Sequence, residues 1–260
     1  DVLSVRGLTK RFDGPVLFQN VDFDIKRGER VALIGNNGTG KTTILKIIND
    51  ILPADSGEIK LGSKVTIGYY DQEHHVLDPD KTLFEELQDA YPDLNNTQIR
   101  NTLAAFLFTN DDVFKYIRDL SGGERGRVSL AKLMLSNANF LILDEPTNHL
   151  DMVSKEILEN ALNSYTGTVL YVSHDRYFIN TTATRIIELV GQTTVNYIGN
   201  YDYYIEKKDA LTAAALAGKP ADSSSAVSAA QKNAQKESAK ADWKQSKEEQ
   251  ALLKLSLIHI

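Results

Sequence analysis

One stretch restricts the folds open to this chain more than any other: Gly35-Asn36-Asn37-Gly38-Thr39-Gly40-Lys41-Thr42. It follows an apolar run at 30–34 and precedes the helical pattern Ile44-Leu45-Lys46-Ile47-Ile48. Glycines at these spacings let backbone N–H groups turn inward around phosphate oxygens at a helix start, and the lysine adds a point charge. On this reading Lys41 faces the β- and γ-phosphates of a nucleotide, the Thr42 hydroxyl ligates Mg²⁺, and Thr43 touches the α-phosphate. Asn36, Asn37 and Thr39 complete the cradle.

A strand that feeds such a loop belongs to an α/β fold. Two further apolar runs, at 140–143 and 169–172, read with 30–34 as buried parallel strands, each ending at a polar cluster. The opening Val2-Leu3-Ser4-Val5 alternates and adds an antiparallel β portion. Residues 73–135 change texture and read as an inserted helical subdomain. Thr82 and Glu85 form a capping-box pattern there, and Ile99, Leu103, Phe106 and Leu107 recur on one expected helix face. The domain that carries the phosphate loop is expected to span 1–208. An Ala/Ser-rich linker is expected at 209–235 and a charged, partly helical extension at 236–260. The chain begins with Asp1 and is read as a piece of a longer parent.

The other polar strand ends carry chemistry. Phe140-Leu141-Ile142-Leu143 runs into Asp144 and Glu145. Asp144 is placed to hold the Mg²⁺ shell, partly through water, and Glu145 to act as general base toward the attacking water. Ser173-His174-Asp175 follows the third strand, where His174 can bond a γ-phosphate. Gln72, after Tyr69-Tyr70-Asp71, is a third polar strand end, ordinary when taken alone. Leu120-Ser121-Gly122-Gly123-Glu124 opens a helical run and makes a second anion-binding surface, which one domain does not need for one nucleotide.

These motifs together resemble the ABC ATPase domain: phosphate loop at 35–42, Q-loop glutamine Gln72, signature at 120–124, acidic strand end at 140–145, D-loop Asp151 and switch His174. The resemblance implies an Mg²⁺-dependent ATPase whose site is completed by the signature of a second ABC domain. Ser121, Gly122, Gly123 and Glu124 would face the partner's ATP, and Asp151 would link the two sites. It also implies that Phe12 stacks on adenine, and only this likeness of the motifs taken together implies that Gln72 joins the Mg²⁺ and catalytic set.

Within that family the wording is similar to the ABC-F branch of tandem ATPases without membrane domains. Asp144-Glu145-Pro146-Thr147-Asn148-His149-Leu150-Asp151, Glu124-Arg125-Gly126-Arg127 and Gly199-Asn200-Tyr201-Asp202-Tyr203-Tyr204 carry the likeness. It implies a cytoplasmic protein acting on the ribosome in translation, with this chain the second of two ABC domains. The linker after a first domain is a competing reading of the tail, and an ABC transporter subunit is the alternative function.

Composition sets bounds on all of this. No apolar run approaches the ~18 residues that cross a bilayer. The absence of cysteine excludes thiol chemistry and disulfides, and a net charge of −6 gives no electrostatic help to nucleic-acid binding. His74-His75 lacks a third ligand and is not read as a metal site. The tyrosines Tyr197, Tyr201, Tyr203 and Tyr204 are read as cover for the sheet edge.

Overall fold

The computed structural model describes residues 1–71, 77–148 and 150–216. Its centre is a six-stranded sheet in the order β5-β6-β7-β3-β8-β9. These strands are β3 (Arg30–Gly35), β5 (Ile67–Tyr70), β6 (Phe140–Asp144), β7 (Thr168–Val172), β8 (Arg185–Val190) and β9 (Thr193–Tyr197). Five run parallel, and β9 pairs antiparallel with β8. A second, antiparallel sheet joins β2 (Val16–Ile25), β1 (Leu3–Arg11) and β4 (Ser56–Leu61) in the order β2-β1-β4. The fold is therefore α/β, with a mainly parallel core, an antiparallel β portion and a helical insertion.

Strand period two divides the apolar residues between two cores. Val31 and Leu33, Phe140 and Ile142, Leu170 and Val172, with Ile187 and Leu189, face the antiparallel sheet and helix α1 (Lys41–Ile48). Ala32 and Ile34, Leu141 and Leu143, and Val169 and Tyr171 face the opposite layer. That layer is built by α2 (Leu83–Ala90), α3 (Asn96–Ala105), α4 (Gly122–Leu135), α5 (Met152–Ser164), α6 (Arg176–Thr182) and α7 (Tyr201–Leu216). A strand buried on both faces needs apolar residues at every position, which is why 30–34, 140–143 and 169–172 carry no alternation.

The helical insertion is capped as its sequence indicates. Glu85 N donates to Thr82 Oγ1 at 3.2 Å while Thr82 N donates to Glu85 Oε2 at 2.8 Å. One expectation fails: α3 stops at Ala105, and Leu107 leaves the helix face and stands 46% exposed. Leu107 takes φ +64°, Phe108 N bonds Leu103 O at 2.9 Å and Leu107 N bonds Ala104 O at 3.0 Å. This is a Schellman stop, made with leucine where glycine is usual, and it turns Phe108 into the core instead.

The described residues from Asp1 to Leu216 form one compact unit. Helix α7 continues past 208 because Leu211 and Ala215 pack on the core, so the boundary drawn from composition falls inside a helix. Gln72, the pair His74-His75, His149 and the residues from 217 to 260 lie outside the described residues. No described helix is long and apolar enough to cross a membrane.

Packing of the central strands should govern stability. Ile142→Ala, at a fully buried site in β6, is expected to cost about 2–5 kcal/mol. Met152→Ala, at a side chain 85% exposed, should stay within about 0.5 kcal/mol. Urea midpoints of the two variants check this.

Candidate functional site

The register of the sheet assembles the site. Asp144 pairs with Val172, and Val172 pairs with Leu33, so three neighbouring strands end level with one another. The phosphate loop, the Asp144-Glu145 pair and His174 thus emerge side by side at the carboxyl edge of a parallel sheet, where ligands of open α/β folds bind.

Two glycines are required by this geometry. A Cβ on Gly35 would lie 2.6 Å from the Leu189 carbonyl oxygen, and the residue has φ +152°. Gly40, at φ +101°, would press a Cβ to 2.8 Å from Leu17 and Phe18. With the loop so confined, α1 begins at Lys41 and presents its unpaired first-turn N–H groups to the loop. Lys41 is buried, and its Nζ donates to Gly35 O at 2.9 Å and Asn36 O at 3.0 Å. Burial pushes its ammonium below the usual lysine range, opposed by the charges of Glu145 and Asp144.

The carboxylates stand opposite the loop. Thr42 Oγ1 donates to Asp144 Oδ1 at 3.2 Å. Burial raises the Asp144 pKa; the Thr42 bond opposes this, while Asp71 and Glu145 add to it. Glu145 takes φ +48°, a left-handed conformation that costs a non-glycine residue about 1–3 kcal/mol, and its N–H donates to Val172 O at 3.0 Å. This turn aims the side chain at His174: His174 Nε2 lies 3.2 Å from Glu145 Oε1, and its backbone N–H donates to Glu145 Oε2 at 3.2 Å. Beneath them Thr147 and Ser173 share a buried hydroxyl–hydroxyl bond of 3.0 Å that ties the two strand-end loops together.

A cleft of about 550 Å³ runs from Lys41, Thr42, Thr43, Glu145 and His174 to Phe12. Phe12 is 52% exposed, and its loop is braced from behind. Lys10 Nζ sits 5.4 Å from the Phe12 ring centre and binds Asp55 Oδ1 at 2.9 Å. Leu17 and Asn148 also line this cleft. Leu17 carries no motif that marks it, whereas Asn148 lies in the run that carries the family likeness.

None of Ser121, Gly122, Gly123 or Glu124 lines the cleft. Ser121 caps α4 in a reciprocal box, with Glu124 N on Ser121 Oγ at 3.3 Å and Ser121 N on Glu124 Oε2 at 2.8 Å. Those bonds hold the Glu124 carboxyl below its usual range and fix the signature turn, whose Ser121 and Gly122 stay exposed. Asp151 caps α5 through Ser154 N at 2.7 Å. Lys155 of that helix reaches Asp175 Oδ2 at 2.7 Å, linking the D-loop helix to the helix after His174.

For a metal, the oxygen set fits Mg²⁺ in part. No cluster of three or more His, Cys, Asp or Glu able to hold an ion occurs among the described residues. One buried carboxylate beside a hydroxyl, crowded by further negative charge, suits a cation that takes most of its ligands from water and phosphate.

A phosphate loop between a buried strand and a helix, set against an acidic strand end, defines a P-loop nucleotide-binding domain. The sequence matches the family described as "ABC transporter" over residues 18–148, and the chain belongs to that family. Among its relatives is YdiF of Bacillus subtilis, named as an ATP-binding protein, which is 55% identical over 80% of this chain and 33% of its own length. ABC transporter F family member 5 of Arabidopsis thaliana is 42% identical over 81% of this chain and 31% of its own length. The ATP-binding protein Uup of Escherichia coli is 42% identical over 77% and 32%. These relatives are ABC-F members, and the chain spans about a third of their length. A solved structure of the ATP-binding cassette MJ0796, a dimer bound to ADP and Pi, superposes with a TM-score of 0.60 at 24% identity. It covers 74% of this chain and 96% of that one, and shows the shared fold.

Gly35→Ala should destabilise the domain by more than about 1 kcal/mol, since neither the Leu189 carbonyl nor the backbone angle admits a Cβ. Gly122→Ala, with open space around it, should cost less. Thermal melts of the two variants provide the comparison.

Proposed function

We propose that this ABC domain of the ABC-F type binds ATP and hydrolyses it. On this proposal Lys41, Thr42 and Thr43 grip the phosphates of ATP while Phe12 stacks on adenine, and Glu145 activates the water that attacks the γ-phosphorus. The observation that carries this reading is the meeting of Glu145 and His174 at 3.2 Å on the rim of the Lys41 cleft.

Glu145 takes a proton from water as the water oxygen bonds to the γ-phosphorus and the bond to the ADP oxygen breaks, leaving ADP and phosphate. His174, held against the same carboxylate, bonds the γ-phosphate and reports its presence. Lys41 has three N–H donors, two of them engaged at Gly35 and Asn36, and swings them to the β- and γ-oxygens. Mg²⁺, when bound, neutralises phosphate charge. Thr42 and Asp144 would hold it, with Gln72 as the further expected ligand.

The signature turn forms no part of its own chain's cleft, so its use lies with ATP on another ABC domain. Two domains meeting head to tail would bury each nucleotide between one phosphate loop and the facing Ser121-Gly122-Gly123. Asp151 would stand at the seam. Closure excludes water and completes the site, and loss of the γ-phosphate reopens it.

At the level of the whole protein, the ABC-F likeness supports action on the ribosome in translation. A second ABC domain and the tail at 217–260 are the parts expected to contribute contacts there. The transporter-subunit alternative is not favoured, because the relatives matched include ABC-F members. On this reading the chain is the second ABC domain of its parent, cytoplasmic, with a linker following α7 and a charged extension after it.

Glu145→Gln should lower turnover about 10²–10⁴-fold while ATP binding persists. Unchanged turnover would remove Glu145 from the role of base. Lys41→Ala should weaken ATP binding itself, measured by titration with a fluorescent ATP analogue. Ribosome co-sedimentation of the parent protein, with both catalytic glutamates changed to Gln, should become ATP-dependent. Absence of pelleting with intact ATP binding would count against the translation role.

A further inference from the structure

The run from Gly199 to Tyr204 carries the family likeness, yet nothing in the ATP chemistry uses it. Its last tyrosine, Tyr204, together with Tyr197 at the end of β9, leads to a buried carboxylate. Glu188, on β8, is only 4% exposed and lies under α7. Tyr197 OH donates to Glu188 Oε2 at 2.9 Å and Tyr204 OH donates to Glu188 Oε1 at 2.8 Å. Lys208 Nζ stands 3.3 Å from Oε1, and Thr212 Oγ1 donates to Oε2 at 3.4 Å. Tyr204, Lys208 and Thr212 are spaced i, i+4, i+8, so one face of α7 grips this single carboxylate. Burial pushes the Tyr204 hydroxyl up to about 12, and that of Tyr197 upward too, so both remain donors at neutral pH.

The carboxylate also lies next to the phosphate loop. Glu188 pairs across the sheet with Ile34, and the next residue, Leu189, pairs with Gly35. The Leu189 carbonyl is the atom that leaves no room for a Cβ on Gly35. The backbone at 188–189 therefore forms the wall against which the loop turns. A polar cavity of about 240 Å³ joins the two ends, touching Gly35, Asn36 and His174 on one side and Glu188, Tyr204 and Lys208 on the other.

We propose that Glu188 is a positioning residue for ATP binding: it fixes the β8 backbone under Gly35 by being clamped from α7, so the seating of α7 sets the shape of the phosphate loop. This rests on the ATP-site reading above. Coupling of this kind is reciprocal, so nucleotide at the loop must in turn tighten α7. Glutamine at 188 keeps the volume of the side chain but replaces one acceptor oxygen by an NH₂ group. One of the two tyrosines then faces a donor, and Lys208 loses its counter-charge.

The test compares the 260-residue chain with Glu188→Gln and with Tyr204→Phe, at a temperature where circular dichroism shows all three folded. Mg-ATP affinity is measured by titration, turnover at saturating ATP is measured separately, and hydrogen exchange of the α7 amides is followed with and without Mg-ATP. Both variants should bind Mg-ATP at least about fivefold more weakly, the lower end of typical coupling between sites, with saturated turnover nearly unchanged. ATP should slow α7 exchange in the parent sequence and not in the variants. Because Tyr204→Phe leaves the carboxylate in place, it carries the test if Glu188→Gln fails to fold. Variants that lose only melting temperature, with affinity and ATP-dependent exchange as in the parent sequence, overturn the inference and leave Glu188 as a purely structural anchor. Failure of the unsubstituted chain to bind Mg-ATP overturns the ATP-site reading and this inference with it.

Discussion

Parallel backbone pairing of β6, β7 and β3 is the constraint on which the site depends. Asp144, Val172 and Leu33 are in register, so each strand releases its polar residues at the same height. A one-residue slip in any of the three would move its apolar set to the wrong core and its functional residue to the wrong face. The cost of such a slip is high because these strands are buried on both sides, with Phe140 and Ile142 in one core and Leu141 and Leu143 in the other. The apolar packing that stabilises the fold thereby also aligns Lys41, Glu145 and His174.

Charge is concentrated at that edge. Lys41 is drawn below the usual lysine range by burial while Asp144 is pushed above the usual carboxylate range by burial and by its acidic neighbours. Each is held in a state that a phosphate or a cation would relieve, which supports the metal–nucleotide site proposed above. The strained φ of Glu145 belongs to the same arrangement, since it directs the carboxylate across the cleft rim to His174. The signature turn has the opposite character. Its own capping box satisfies it, it stays exposed, and it contributes nothing to the cleft of its own chain.

Much of this was legible in the sequence because the physics is local there. The three apolar runs, the glycine-lysine loop and the capping box at Thr82 each express a constraint within a few residues, and each is present. What escaped depends on distant partners or on an unusual backbone choice. Leu107 ends α3 in a conformation normally left to glycine, so the apolar pattern ran past the helix. The boundary near 208 missed the rest of α7 because alanine-rich composition looks like linker until Leu211 and Ala215 find a core to pack on. The Glu188 clamp joins β8 to residues up to 24 positions away, and no motif announces it. Asp71 and Lys46, which act on Asp144 from other elements, were invisible for the same reason.

The proposed nucleotide site is a shared one, finished by the signature of a second ABC domain. The most direct measurement is steady-state ATP turnover per chain as a function of chain concentration. Specific activity that is near zero on dilution, then rises and levels off as chains pair, is the predicted result. Full specific activity that stays constant on dilution, with the chain monomeric by sedimentation, would show that one domain hydrolyses ATP alone and would contradict it.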